Sequence, residues 1–361
     1  MGFSRRLGWI GVDVGTHTVK LAQAAREGTA VRLHRAAVIQ RPVSWDGDDK
    51  LCWEQPITSY PEIRAALDCG GFVGRDAVCT LPMNVCQLRG LNIPPGKDQE
   101  RRAMAADELT EEWSEKKVSM EFDFWEMDPG KTEKTSDAFN VSILAASRPW
   151  VGQLWRDCRQ SGLDCWAIDG VPLATARAVG LMGGLSGGRR VLAVDWGYSN
   201  TTLCVVGEDR CLYSRRIHGC TFSRVLDIVM EEFGVTLDEA QHLVDAHGLV
   251  SAEPGPSADH QVQTALTDAV SDQMDELVRQ LTRTLQFLET QRRHLHASAV
   301  WLLGGGASMR NVGPYLAQLL NVPVQIWQVP PSEAPIPCAL GERSSVLGGA
   351  VALSALAWRA A

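Results

Sequence analysis

Two distant stretches of this chain repeat one local pattern. Residues 10–23 read IGVDVGTHTVKLAQ and residues 190–206 read RVLAVDWGYSNTTLCVV. Each runs as an apolar strand into an aspartate, turns at Asp-x-Gly and leaves as a second strand. Laid over one another, Asp195 falls on Asp13, Gly197 on Gly15, Asn200 on Thr18, Thr202 on Lys20 and Leu203 on Leu21. A further strand-like run follows each hairpin, at 31–39 and 210–217. One Asp-x-Gly turn is commonplace. Two with the same surroundings imply a duplicated α/β lobe, and 361 residues are enough for two lobes.

The hairpin tips carry a definite chemistry. Gly15 leaves the backbone bare, while Thr16, His17 and Thr18 add hydroxyls, an imidazole and free N–H groups. A carboxylate beside such a turn suits a phosphate and its hydrated divalent cation. Two facing hairpins would clamp one polyphosphate. A third element fits the same ligand: a strand at 299–303, the glycines Gly304, Gly305 and Gly306, then a helix at 312–320. Strand, glycine turn and helix N-terminus bring bare backbone against a ligand. This is no dinucleotide fingerprint, since Met309 stands where the last glycine belongs. Nor is there a Walker A motif, because Trp125 replaces the glycine five positions before Gly130–Lys131–Thr132.

Composition excludes other classes. A net charge of −8 argues against a general nucleic-acid binder, which needs a basic face. Hydrophobic content of 45% and charged content of 22% are those of a globular chain. The ten cysteines form no Cys-x-x-Cys pair and no Cys/His group with zinc spacing, and are expected as small core residues in a reducing cytosol. The N-terminus has no apolar run after its arginines, so no secretion signal is expected. The apolar stretch 344–358 is about 15 residues, short of the roughly 20 a bilayer requires. It is expected as a buried helix closing on the first lobe.

Between the hairpins the pattern changes. A helix at 60–69 and a strand at 76–82 complete the first block, 1–84. Trp45 and Trp53, in a Pro- and Gly-rich loop at 41–56, are expected to lie over apolar surface. Residues 85–165 are expected as an inserted α+β subdomain: a strand at 85–93, a charged helix opened by Asp98, a strand in which Met120, Phe122 and Phe124 share one face, a polar turn at 129–137, and a strand at 139–145. The helix at 149–161 is expected to bury Val151, Leu154, Trp155 and Cys158 and to close at Gly162. An inter-lobe helix is placed in 166–189, and the second lobe in 190–343. The latter holds a helical subdomain at 222–296, whose longest helix, from about 261 to 294 after a loop at 250–260, carries Leu266, Val270, Met274, Leu277, Leu281, Leu285 and Leu288 on one face. That face is expected to pack on its own lobe rather than in a coiled coil.

In this order the motifs resemble the actin-like ATPase superfamily, a ribonuclease H-like two-lobed fold. The insertion at 85–165 narrows the resemblance to its FtsA/PilM branch. Four segments are similar to the PilM family of type IV pilus assembly proteins: LRGLNIPPGKDQERRAMAADEL, FNVSILAASRPWVGQLWRDCRQSGLDCWAIDG, VTLDEAQHL and LLGGGASMRNVGPYLAQLLNVPV. The resemblance implies a cytosolic ATP-binding scaffold, peripheral on the inner face of the bacterial inner membrane. It would dock the N-terminal cytosolic peptide of a PilN-like membrane protein in a groove between the first lobe and the inserted subdomain. Pilus motor ATPases and further copies of the chain are its other implied partners.

The resemblance also implies roles. Asp13 and Asp195 would hold Mg through water. Gly15, Thr16, His17, Thr18 and Lys20 would line one side of the phosphates, and Gly197, Ser199, Asn200 and Thr201 the other. Gly304, Gly305, Gly306 and Gln241 would lie against the adenosine. Several positions depart from the family: Gln241 and Val244 replace an acid and a lysine that reach the adenosine, Val171 stands where many relatives carry a water-orienting carboxylate, Trp196 and Tyr198 flank Gly197 where small residues are common, and His17 replaces a small polar residue. ATP binding with slow or absent turnover follows. Three alternatives share the fold. A small-molecule kinase would need a general base, for which only the hairpin aspartates and Asp169 offer acid groups. An FtsA-like protein would carry a basic amphipathic tail. A filament-forming relative would polymerise with ATP.

Overall fold

In the computed structural model, residues 5–41, 60–115, 119–127, 140–183, 185, 187–250, 257–333 and 343–359 are described. Trp45, Trp53 and the turn expected at 129–137 lie outside them.

The first hairpin is β1 (Arg6–Val14) and β2 (Thr18–Glu27), followed by β3 (Ala30–Gln40), α1 (Tyr60–Cys69) and β4 (Asp76–Thr80). β1 pairs antiparallel with β2, and β4 adds parallel to β1. The inserted segment supplies β5 (Cys86–Leu91), α2 (Asp98–Glu115), β6 (Met120–Glu126) and β7 (Val141–Ser147), which make a separate antiparallel sheet in the order β5-β7-β6. Helix α2 covers that sheet. Ala105 and Leu109 meet Val141 and Ile143 in a small core, with Phe122 and Phe124 packed against it as their alternation requires. The chain then returns through α3 (Arg148–Gln160) to β8 (Asp164–Asp169), the edge strand of the first sheet, parallel to β4. So β8 belongs by its hydrogen bonds to the first lobe, although the sequence divides it between insertion and inter-lobe helix.

Helix α3 differs from expectation on one face. Trp150, Leu154 and Cys158 are buried in the first-lobe core, whereas Trp155 is 45% exposed under the guanidinium of Arg159. Trp150 stands four residues before Leu154 and eight before Cys158, so the buried stripe passes through it and leaves Trp155 outside.

After α4 (Val171–Leu181) the second lobe repeats the first. β9 (Arg190–Trp196), β10 (Thr201–Gly207) and β11 (Arg210–Ile217) form the antiparallel half; β12 (Val300–Leu303) and β13 (Val324–Ile326) add in parallel. The two sheets therefore have one topology, β3-β2-β1-β4-β8 against β11-β10-β9-β12-β13. This is the two-lobed actin-like fold. Between β11 and β12 lie, among the described residues, α5 (Phe222–Phe233), α6 (Leu237–Ala246) and α7 (Ser257–Gln291). Thr236 and Glu239 close a capping box on α6. The leucine face of α7 is buried in its own lobe's core with Val225 and Val229 of α5, only Leu285 being partly open. Helix α7 starts at Ser257, four residues before the expected start. Helix α8 (Val312–Leu320) follows β12.

The lobes are joined reciprocally. Helix α4 follows a first-lobe strand and packs on β10 and β11, while α9 (Gly348–Ser354) follows the second lobe and packs on β1 and β2. The two helices touch: Arg177 Nη1 donates to the Ala352 carbonyl at 3.1 Å. Being apolar all round, α9 can be buried on every side. Its approach to β1 depends on glycine, because a Cβ on Gly11 would overlap the Ala350 carbonyl oxygen. The Ser354 hydroxyl donates to the Trp9 carbonyl and accepts from the Ala24 N–H, which ties the end of α9 to both strands. Among the described residues, no helix is long and apolar enough to cross a membrane.

Candidate functional site

The C-terminal ends of β1, β4, β9 and β12 open into one cleft between the lobes, as expected for sheets of this winding. Both hairpin tips, Gly304 and Gly305 line it. Register determines which side chains look into it. Asp13 pairs with Lys20 across β1 and β2, so the two share a face, and Lys20 Nζ lies 3.3 Å from Asp13 Oδ2. Asp195 pairs with Thr202 in the same way, and both line the cleft. Thr80, at the end of β4, donates its hydroxyl to Asp13 Oδ1 at 3.2 Å.

Of the residues expected at the site, all but Thr201 and Gly306 line the cleft. Thr201 pairs instead with Trp196, whose indole is fully buried in the second-lobe core; Thr201 turns the same way, and its hydroxyl donates to the Cys220 carbonyl. Gly306 packs on that same indole, where a Cβ would overlap the ring. Thr202 takes the cleft position in place of Thr201, and Gly304 and Gly305 provide the glycine wall without Gly306. Gly304 is required as glycine: its φ of +83° is left-handed, and a Cβ would lie 2.6 Å from Asp195 Oδ1.

The two hairpin tips meet. Thr16 Oγ1 and Ser199 Oγ are 2.7 Å apart, and the rings of His17 and Tyr198 stack at 4.6 Å with 15° between planes. Arg41 braces the first tip, donating to the Gly15 and Thr16 carbonyls at 3.4 and 3.3 Å. Burial lowers the His17 pKa, with the Arg343 and Lys20 charges adding to the effect against Asp238, so the ring is neutral at pH 7. Burial likewise pushes Asp195 up to about 6; the Asp13 charge adds to the rise and Lys20 opposes it. Two carboxylates facing one cleft with a single close lysine form a site that a divalent cation would relieve.

The far wall is built around Arg343, a cleft residue that the spacing of motifs does not predict. Its Nη2 donates to Gln241 Oε1 at 3.3 Å and its Nε lies 3.4 Å from Asp245 Oδ2. Asp245 also accepts from Ser308 and from Gln241, while burial raises its pKa against the pull of Arg343. Val244, by contrast, is buried in the lobe core. Arg343, far along the chain, thus places a cation beside Gln241 and Asp245 of α6. The only sequence signal for it is its place immediately before the apolar closing segment. Asp169 is held by Arg177 at 2.9 Å and does not line the cleft; Val171 does.

A family model described as the type IV pilus assembly protein PilM matches residues 11–332. Among solved structures, a PilM-PilN type IV pilus biogenesis complex has the same fold with a TM-score of 0.74 and 19% identity, over 97% of this chain and 98% of that one. The ethanolamine utilization protein EutJ from Carboxydothermus hydrogenoformans is more distant, with a TM-score of 0.52 and 12% identity over 97% of this chain and 89% of its own.

Proposed function

Because this chain belongs to the PilM family of type IV pilus assembly proteins, we propose that it is an ATP-binding docking scaffold of the pilus machinery at the inner face of the inner membrane. It takes the N-terminal peptide of a PilN-like membrane protein as its partner. The observation that carries the nucleotide reading is the meeting of two equivalent Asp-x-Gly hairpins over one cleft. Asp13 and Asp195 face it, and Gly304 and Gly305 form its bare wall. Gly15, Thr16, Thr18, Gly197, Ser199 and Asn200 would receive the phosphates, with Lys20 adding charge beside Asp13. Gln241 and Arg343 would receive the adenosine. Mg would sit between the aspartates through water, and what it would supply there is charge, offsetting the burial and the Asp13 repulsion that raise Asp195.

Hydrolysis is a different matter. Turnover needs a group that orients the attacking water. Val171 has no such group, and Asp169 is committed to Arg177. The nucleotide therefore sets the conformation of a docking protein, and any turnover stays below about one per second, the low end of ordinary enzymes. The solved complex of similar fold joins PilM to PilN, which supports the peptide partner. The inserted subdomain would form one side of the groove that takes it.

Two measurements test the reading. Calorimetry with millimolar Mg-ATP is expected to show binding, and an absence of heat would end the nucleotide claim. Pull-down with the N-terminal peptide of the PilN-like partner is expected to retain the protein; failure of the wild type would remove the scaffold claim.

A further inference from the structure

Three cysteines from three elements converge at one point in the first lobe. Cys79 comes from β4, Cys158 from α3 and Cys165 from β8. Their sulfur atoms all lie within 4.8 Å of one another, with Cys79 Sγ 3.2 Å from Cys158 Sγ and 3.9 Å from Cys165 Sγ. Cys79 and Cys158 are buried, while Cys165, on the edge strand, is only half-buried. No part of the cleft uses them. Cys79 faces α3, whereas its neighbour Thr80 faces Asp13, so the two sites stand on opposite faces of β4.

We propose that Cys79, Cys158 and Cys165 form a binding site for a soft monovalent cation, Cu(I), held by three sulfurs. A pair of cysteines would serve a disulfide; three from three elements, aimed at one point, match a chelate. With metal–sulfur bonds of about 2.3 Å, three sulfurs around one ion stand about 4 Å apart. The 3.9 Å spacing already meets this, and the 3.2 Å spacing needs an opening of under 1 Å. The donor set selects the ion. All three ligands are soft sulfur, and among the described residues no His, Asp or Glu joins the group as a fourth. Structural zinc takes four ligands in a tetrahedron, whereas thiolate sulfur favours Cu(I). The half-buried Cys165 provides the way in. Binding exchanges protons for the metal: thiol S–H bonds break, S–Cu bonds form, the protons leave to water, and the oxidation state does not change. An occupied site would clamp α3 and β8 to β4, the strand that carries Thr80.

The test is anaerobic titration of the full chain with Cu(I) against a colorimetric Cu(I) chelator, followed by X-ray absorption at the copper edge. One Cu(I) per chain with three sulfur neighbours is expected, and a rise in melting temperature should accompany it. The Cys165→Ser variant, at a half-open position, should lose the ion at the same chelator concentration. Cys69→Ser, which removes an exposed thiol elsewhere, should keep it. Retention by Cys165→Ser, loss in Cys69→Ser, a two-sulfur shell, or displacement of Cu(I) by equimolar zinc would each overturn the proposal.

Discussion

Replacing Asp195 by asparagine should stabilise the protein without ligand. The carboxyl of Asp195 is pushed from 3.8 to about 6 by burial first and by Asp13 second. Its folded pKa thus lies above its unfolded one, so between about 4 and 6 the folded state binds the extra proton. Stability then falls as pH rises through that window, and the penalty is complete above it. About two pH units at 1.36 kcal/mol each give roughly 3 kcal/mol. That is a ceiling, because the carboxylate looks into an open cleft and solvent screens part of the cost. The substituted amide carries no charge and escapes the penalty. Urea unfolding of both proteins at intervals from pH 4.5 to 8, in chelator and without nucleotide, should show the Asp195→Asn variant ahead by about 1–3 kcal/mol at pH 8. The difference should shrink toward zero at the acid end. The same variant should lose the thermal shift that Mg-ATP gives the wild type. A variant less stable than wild type at pH 8, or a difference independent of pH, would refute the account of Asp195 as a strained charge awaiting a cation.

Three further outcomes follow from the same geometry. Arg343→Ala should weaken ATP about tenfold or more by calorimetry, since a hydrogen bond to a charged group contributes about 1.5–3 kcal/mol. His17→Ala should tighten ATP by about two- to tenfold, because the stack on Tyr198 holds the hairpin tips together and a ring pair of this kind is worth about 0.5–1.5 kcal/mol; weaker binding would show that His17 contacts the nucleotide instead. Gly11→Ala should destabilise the fold to urea by about 2 kcal/mol or more, near the upper range for single substitutions, as its methyl would meet the Ala350 carbonyl of α9 and no flexible side chain.

Much of the fold is written locally. Period-two alternation around Asp-x-Gly defines both hairpins, and the three- and four-residue recurrence of leucines defines α7, because these patterns depend only on a strand's or a helix's own geometry. The repeat of the hairpin implies two lobes of one topology. The same overlay sets Thr202 on Lys20, so the cleft-facing threonine is present in the alignment, although the family resemblance points to Thr201. Strand parity turns on a single residue, and here Trp196 decides it by carrying Thr201 into the core with it. Trp155 shows the same limit on a helix, where which of two nearby tryptophans is buried depends on the sheet beneath.

What the sequence determined by itself is therefore the pair of hairpins, the glycine wall and the inserted subdomain. Only the tertiary structure brought Arg343 to Gln241, closed Thr16 on Ser199, and gathered Cys79, Cys158 and Cys165 to one point. Each of these is a contact between segments distant in sequence, Cys158 and Cys165 excepted. Local propensity says nothing of such a meeting, which follows from how the sheets, α4 and α9 pack.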